Sequence, residues 1–126
     1  MAEKERLYKL CNDYVYPSCP PNAVRLWVEC TGSMLPSLHC TYSDLKAFNP
    51  HLYPYYEPKV CDIVTFDVPV FQTTDMNDKL VEISKLTHRI VKINDGGTFV
   101  TKGDATEKVD SYNSTRQDVR YVVCHT

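Results

Sequence analysis

The chain has no apolar run long enough to cross a bilayer. Its longest apolar stretches, AVRLWVEC and CDIVTF, are far shorter than the roughly 18–20 residues that a membrane-spanning helix needs. The first residues, MAEKERLYKLCNDY, mix acids and bases around no apolar centre, which is not the pattern of a secretory signal. We therefore expect a chain that is soluble as written and has no membrane span. Peripheral contact with a membrane stays open.

The charge pattern lacks a basic stripe. The formal net charge is −2, and the 14 basic and 16 acidic residues are interspersed along the chain. Binding to nucleic acid depends on clustered lysine and arginine side chains that neutralise phosphates. The composition therefore predicts no nucleic-acid partner.

The spacings of common metal sites are also missing. Six cysteines occur, at positions 11, 19, 30, 40, 61 and 124, and they form no Cys-x-x-Cys pattern. The pairs His39-Cys40 and Cys124-His125 could contribute zinc ligands, but no His-x-x-x-His spacing supports them. We expect no metal and no cofactor. An even number of cysteines permits disulfides, whereas free cysteine also behaves as a small buried hydrophobe, so their redox state stays open.

The 126 residues fit one domain with a sizeable core. Apolar residues at helical spacing predict a short helix over residues 2–15, and the three prolines of YPSCPPN break it. Strands are predicted at AVRLWVEC, KVCDIVTFDVPV, ISKLTHRIVKIND, TFVTKG and DVRYVVCHT, and the polar stretch FQTTDMNDKL is predicted to be an insertion. Many short strands with hairpin turns such as DGG predict a mostly β domain over 24–126, after a helix and proline-rich lead-in over 1–20.

One serine stands where its hydroxyl would be displayed. Ser33 lies in ECTGSMLPSLHC, between glycine and methionine, at what reads as the end of a strand, and Pro36 prevents a regular helix from following. A serine nucleophile needs a base, a group that orients the base, and donors for the developing oxyanion. Ser33 is therefore a candidate nucleophile if the chain supplies these groups.

His88 is the candidate base, because it lies inside the strong strand ISKLTHRIVKIND and imidazole is the usual general base near neutral pH. Periodicity alone favours another interpretation, a half-buried strand histidine with a backbone partner. Asp104 and Asp110, in KGDATEKVD, are candidate orienting acids, but aspartate also favours turns by binding nearby backbone amides. The residue types alone leave these alternatives open.

Four segments, TGSMLPSL, PKVCDIVTF, LTHRIVKI and FVTKGDATEKVD, resemble in order and spacing the motif boxes of type I signal peptidases. The similarity covers about residues 26–123. It is greatest to the endoplasmic-reticulum and archaeal branch, because a histidine stands where the bacterial branch has a lysine base. The chain departs from the family at Ser43 and Cys61, where glycines are usual, and in the absence of a membrane anchor ahead of the serine strand. The implied fold is a signal-peptidase-like arrangement of short antiparallel β-strands.

The resemblance implies a serine endopeptidase that cleaves an extended peptide or protein substrate after small residues, through an acyl-enzyme. Carried over by position, Ser33 is the nucleophile, His88 the base and Asp110 the triad acid, with Asp104 as a supporting or alternative acid. The oxyanion hole would consist of the Ser33 amide and the Thr31 hydroxyl. The implied substrate contacts are Met34 and Pro36.

Two alternatives keep the same fold. A self-processing domain would use a lysine base, for which the candidates are Lys85, Lys92 and Lys102. A catalytically idle domain would instead recruit a partner through the loop HLYPYYEP. The family's site is normally extracytoplasmic and membrane-associated, but this sequence leaves its own compartment and oligomeric state open.

Overall fold

The computed structural model describes residues 11–29, 31–35, 37–38 and 45–126. Within these residues seven strands form one antiparallel sheet, in the order β1-β2-β7-β3-β4-β5-β6. They are β1 (Val24–Arg25), β2 (Lys46–Phe48), β3 (Ile63–Thr74), β4 (Leu80–Ile93), β5 (Phe99–Lys102), β6 (Asn113–Ser114) and β7 (Val119–His125). Two short 3-10 helices cover Pro50–Leu52 and Arg116–Asp118. The mostly β prediction is confirmed.

The long hairpin of β3 and β4 is the centre of the sheet. Its strands pair from Ile63 opposite Arg89 to Thr74 opposite Leu80. The buried start of β3 is the β-branched and aromatic run IVTF, which suits a strand packed on both faces. Among the described strands, β7 pairs with β3 at residues 64–66 and β5 pairs with β4 at residues 89–93, so both of these pairings lie on this half of the hairpin.

The prediction of a polar insertion over 71–80 is wrong. Those residues belong to the outer half of the β3–β4 hairpin, which extends beyond the sheet as a two-stranded arm. Its turn is held by the Asp75 carboxylate, which accepts hydrogen bonds from the backbone amides of Asn77 at 2.8 Å and Lys79 at 2.9 Å. Most residues of 71–80 are polar and most are exposed, and a solvated strand of that kind resembles a loop in sequence.

Two apolar clusters lie on opposite faces of the sheet. Val64 and Val122 belong to the larger cluster, whereas their neighbours on the same strands, Ile63 and Val123, belong to the smaller one. Successive side chains of a strand point to opposite faces, which explains the division. The smaller cluster also contains Met34, Leu38 and Leu45, so it packs the segment that follows Ser33 against the sheet.

The helix predicted over residues 2–15 lies mostly outside the described residues. Its described end, residues 11–15, is a turn followed by irregular chain, so the prediction is wrong there. Two disulfides instead tie this segment to the turn before β3, through Cys11–Cys61, and to β7, through Cys19–Cys124. A disulfide of this kind typically stabilises a domain by about 2–4 kcal/mol. None of the helices in the described part of the chain has the length and apolarity to span a membrane.

Cys61 keeps a glycine-like backbone at a position where the resembled motif has glycine. Its φ is 84°, in the left-handed region that costs a residue with a side chain about 1–2 kcal/mol. The Cys61 amide donates to the Ile90 carbonyl at 2.8 Å, and the Cys61 carbonyl accepts from Arg89 Nη1 at 2.7 Å. These bonds, with the disulfide to Cys11, hold the strained turn in place.

A fully buried carboxylate joins the N-terminal segment to the sheet. Asp62 is 0% exposed and accepts hydrogen bonds from the hydroxyls of Tyr14 and Tyr56 and from the Lys59 amide. Burial, together with the hydrogen bonds and charge of Asp62, raises the pKa of both phenols far above the ordinary range. Both tyrosines therefore remain proton donors to Asp62 in the folded chain.

We expect the free energy of unfolding to fall as the pH rises above about 10. In the unfolded chain Tyr14 and Tyr56 lose their protons near pH 10.0, whereas in the folded chain their raised pKa values keep them protonated. The two tyrosines therefore stabilise the folded chain fully at a pH below the pKa that they have in the unfolded chain, and this contribution is lost as the pH rises above that pKa. The measurement is reversible urea unfolding from about pH 8 to about pH 11. The double variant Tyr14→Phe, Tyr56→Phe should show a shallower decline, and an unchanged slope would contradict the assignment.

Candidate active site

Ser33 is held in a turn that follows the extended segment 26–29. Gly32, just before it, has a φ of 80°, a conformation that favours glycine. Met34, just after it, is buried in the smaller apolar cluster. The Ser33 carbonyl accepts a hydrogen bond from the Ala105 amide at 2.9 Å, which ties the turn to the loop after β5. The serine is therefore fixed on both sides, while its hydroxyl lines a cleft.

His88 projects from β4 between a hydroxyl and a carboxylate. Its Nε2 lies 3.1 Å from Ser33 Oγ, and its Nδ1 lies 2.7 Å from Asp110 Oδ2. An ionised carboxylate only accepts hydrogen bonds, so Nδ1 carries the proton and Nε2 is left to accept the proton of Ser33. The alternative of a strand histidine with a backbone partner is wrong, since both ring nitrogens face side chains.

Asp110, not Asp104, is the acid that contacts His88. Its position in the loop after β5 is fixed by its own amide, which donates to the Thr101 carbonyl at 2.8 Å. The Thr101 hydroxyl donates to Asp110 Oδ2 at 2.7 Å, the same oxygen that faces His88. Thr101 is 1% exposed and was not among the residues singled out from the sequence. In the sequence, Thr101 stands out only as a polar residue in a predicted strand that leads directly into Gly103-Asp104.

Asp104 forms a buried ion pair with Arg89. Arg89 Nε and Nη2 donate to its two carboxylate oxygens at 2.9 Å each, and the Ser37 hydroxyl donates to the same group. The side chains of Arg89 and Asp104 are only 7% and 10% exposed. Burial lowers the pKa of Arg89, but the hydrogen bonds and charges of Asp104 and Tyr16 together outweigh it, so that this pKa lies above its ordinary value. Asp104 therefore braces the loop beside the site.

The two groups expected to form the oxyanion hole are adjacent. The Ser33 amide points at Thr31 Oγ1 over 3.4 Å, and Thr31 Oγ1 lies 3.3 Å from Ser33 Oγ. Both distances are long for hydrogen bonds between nitrogen or oxygen atoms. The amide and the hydroxyl thus lie side by side next to Ser33 Oγ, and donors of these two kinds can stabilise an oxyanion.

The site opens into a cleft of about 620 Å³. Its lining includes the segment 26–29 and the run 82–88 of β4, which leads to His88. Among the described strands none pairs with the second edge of β4 over residues 80–88, because β5 begins its pairing at Arg89. The backbone groups along that edge are thus available to an added strand.

Of the two expected substrate contacts, Met34 and Pro36, the structure describes only Met34. Met34 is 2% exposed and is absent from the lining of the cleft, so its side chain belongs to the core and the expectation that it touches substrate is wrong. Its sulfur accepts a hydrogen bond from the Asp104 amide at 3.4 Å, which helps to fix the turn. Pro36 and Ser43 lie outside the described residues.

Two of the three lysines considered as alternative bases have partners other than Ser33. Lys102 is 1% exposed, and its Nζ donates to the carbonyls of Gly103 at 2.8 Å and Thr106 at 2.6 Å. Lys85 lies 3.6 Å from the Asp67 carboxylate. Lys102 thus serves the loop that carries Gly103 and Asp104, and the ring that faces Ser33 is that of His88.

Comparison of the chain with protein-family models, with curated proteins and with solved structures gives no match. The chemistry of the site is nevertheless specific. A hydroxyl whose proton faces an imidazole nitrogen, with a carboxylate on the other nitrogen, is the arrangement that activates serine for attack on an acyl carbon. No group of three or more potential metal ligands occurs in the described part of the chain.

We expect Gly103→Ala to displace Ser33. A Cβ at this position would lie 2.6 Å from the Ser33 carbonyl oxygen and 3.2 Å from His88 Nε2, and a backbone atom so close has to move. In a crystal structure of the variant, Ser33 Oγ and His88 Nε2 should no longer be within hydrogen-bond distance. Gly97→Ala is the control, because it strains a distant turn where a Cβ has nothing within 4 Å. An unmoved Ser33 in Gly103→Ala would contradict this expectation.

Asp104→Asn should destabilise the fold strongly. Removing one charge of a buried pair leaves the other uncompensated, and such losses are typically about 3–5 kcal/mol. Asp67→Asn is the matched control, since Asp67 also accepts from an arginine, Arg120, but both side chains are about half exposed. That loss should stay below about 1 kcal/mol. Urea unfolding measures the loss of unfolding free energy in both variants. Equal losses would show that the buried Arg89–Asp104 pair stabilises the fold no more than the exposed Arg120–Asp67 pair.

Proposed function

We propose that this chain is a serine endopeptidase that resembles the type I signal peptidases of the endoplasmic-reticulum and archaeal branch. The observation that carries the proposal is the row of hydrogen bonds from Ser33 Oγ to His88 Nε2, 3.1 Å, and from His88 Nδ1 to Asp110, 2.7 Å. Both bonds are inside a cleft that is open to a substrate. Each of the three groups has the role that nucleophilic acyl transfer requires of it.

The first half of the reaction forms an acyl-enzyme. Ser33 Oγ attacks the carbonyl carbon of the scissile peptide bond while His88 Nε2 takes the hydroxyl proton. Asp110 holds the Nδ1 proton and stabilises the imidazolium that forms. The Ser33 amide and the Thr31 hydroxyl are the donors for the tetrahedral oxyanion. His88 then gives its proton to the leaving amine, and the peptide bond breaks.

The second half restores the enzyme. A water molecule gives a proton to His88 Nε2 and attacks the acyl carbon, and collapse of the second tetrahedral intermediate returns the proton to Ser33 Oγ. Because His88 serves as base in one step and acid in the next, its ring must keep the same orientation throughout. The contact from Thr101 to Asp110 Oδ2 supports that orientation indirectly, by fixing the carboxylate.

The open edge of β4 supports an extended substrate. A peptide that lies between segment 26–29 and residues 82–88 could pair with backbone groups on both sides, as peptides do when they add a strand to a sheet. Such pairing would carry the scissile carbonyl along β4 towards His88. The preference for a small residue before the cut comes with the family resemblance.

The signal-peptidase-like fold is part of the same proposal. The four motif segments are distant in sequence, yet their strands and turns meet around Ser33: TGSMLPSL carries the serine, LTHRIVKI lies in β4, and FVTKGDATEKVD supplies Thr101, Asp104 and Asp110. PKVCDIVTF contributes the Cys61 turn, whose carbonyl receives Arg89. That convergence is what the resemblance would require.

The test is turnover of an Ala-x-Ala peptide by the wild-type chain and by Ser33→Ala. Triad groups act as a unit, so the variant should lose on the order of 10³-fold or more in kcat/KM. Its stability should change little, because the Ser33 hydroxyl is not buried in the core. Ser18→Ala, an exposed serine of the N-terminal segment, is the control and should retain full turnover.

Asp110→Asn is the second variant for this assay. Its amide keeps the shape but not the charge that stabilises the imidazolium, so turnover should fall by on the order of 10³-fold or more. Comparable turnover by wild type and Ser33→Ala would overturn the nucleophile assignment. A folded wild type that neither cleaves nor acylates peptides would favour the idle binding domain.

A further inference from the structure

The triplet Asn113-Ser114-Thr115 is the only Asn-x-Ser/Thr sequence in the chain, and its middle residue is not proline. This is the acceptor pattern for N-linked glycosylation, which requires a surface position in a protein that passes through the secretory route. A three-residue pattern has little weight alone. Its placement in the fold and the chemistry of the cysteines supply two further observations.

Asn113 is in a position that a large group can occupy. It lies in β6, the last strand of the sheet, where it pairs with Val100 while Ser114 pairs with Phe99. Ser114 is 6% exposed, whereas Asn113 is exposed. Because alternate side chains of a strand point to opposite faces, the Asn113 amide is directed away from the core. A group attached to it would displace no packed side chain.

The disulfides give an independent indication of the compartment. Cys11–Cys61 joins the N-terminal segment to the turn before β3, and Cys19–Cys124 joins it to β7, over sequence separations of 50 and 105 residues. Stable disulfides form in oxidising compartments such as the lumen of the endoplasmic reticulum, which is where N-linked glycans are transferred. The same environment that closes these bonds would therefore expose Asn113 to the transferase.

We propose that Asn113 is an N-glycosylation site. Its Nδ2 forms a bond to the anomeric carbon of an oligosaccharide supplied by a lipid diphosphate donor. The bond between that carbon and the donor's phosphate oxygen breaks, the lipid diphosphate leaves, and Nδ2 loses one proton to the transferase. The proposal does not depend on the proposed peptidase activity, because the acceptor is recognised by its own sequence and exposure.

A glycan on Asn113 would lie next to two features of the surface. One is the outer edge of β6, which no described strand covers and which a bulky polar group would protect from pairing with another chain. The other is the rim of the cleft, because the neighbouring residues Ser111 and Tyr112 line it on the Asp110 side. Asn113 itself borders an adjoining polar cleft of about 560 Å³ rather than the Ser33 site.

The test directs the full chain into the lumen of a eukaryotic secretory pathway by an added cleavable signal. The wild type should migrate as a larger species that a peptide N-glycosidase converts in one step to the unmodified mass. That enzyme leaves aspartate at the released position, so peptide mapping should find Asp at 113. Mobility without and with reductant establishes in the same sample that the disulfides have formed.

Three variants make the result specific. Asn113→Gln and Thr115→Ala should both lose the glycosidase-sensitive shift, whereas Thr115→Ser keeps the acceptor pattern and should retain it. Asn77→Gln is the matched control, because Asn77 is exposed on the hairpin turn but belongs to no acceptor triplet. A wild-type chain that has formed its disulfides and yet carries unmodified Asn113 would overturn the proposal. So would a shift that persists in Asn113→Gln.

Discussion

The buried ion pair between Arg89 and Asp104 is the interaction on which the geometry of the site depends. Arg89 follows His88 on β4, and Asp104 follows Gly103, whose backbone lies against the Ser33 carbonyl. The same pair receives the Ser37 hydroxyl and reaches the Cys61 carbonyl through Arg89. One charged contact thus connects β4, the serine segment, the turn before β3 and the loop after β5. A buried charge without its partner is so unfavourable that these four parts must assemble in one arrangement.

The N-terminal segment contributes to that arrangement from the other side. Tyr14 donates to the buried carboxylate of Asp62, and its ring lies 5.9 Å from the Arg89 guanidinium carbon. Its neighbour Cys11 is bonded to Cys61, whose strained turn carries the carbonyl that receives Arg89. This end of the segment that was predicted to be a short helix therefore supports the candidate site. Apolar periodicity could not predict this supporting role, because it rests on a disulfide and on a hydrogen bond to a buried carboxylate.

The sequence predicted well where local pattern and tertiary burial agree. The strand around His88 has strong β-formers and proved to be β4, and the DGG turn joins β4 to β5 through two glycines with positive φ. Prediction was poor for residues whose structure or role depends on whether they are buried or exposed. The outer half of the β3–β4 hairpin looked like an insertion because it is polar. The family resemblance implied that Met34 contacts substrate. Its side chain instead fills the smaller apolar cluster.

The sequence by itself determined the candidate chemistry: a serine between glycine and methionine, a histidine inside a strand, and two aspartates after β5. It left open which aspartate orients the histidine. Tertiary structure decided that, since the choice depends on which carboxylate the chain brings to His88 and which to Arg89. It also placed Thr101 against Asp110 and paired Cys11 with Cys61 and Cys19 with Cys124. Those outcomes rest on distances between residues far apart in the chain, and distances of that kind are set by the packing of the whole sheet rather than by local sequence.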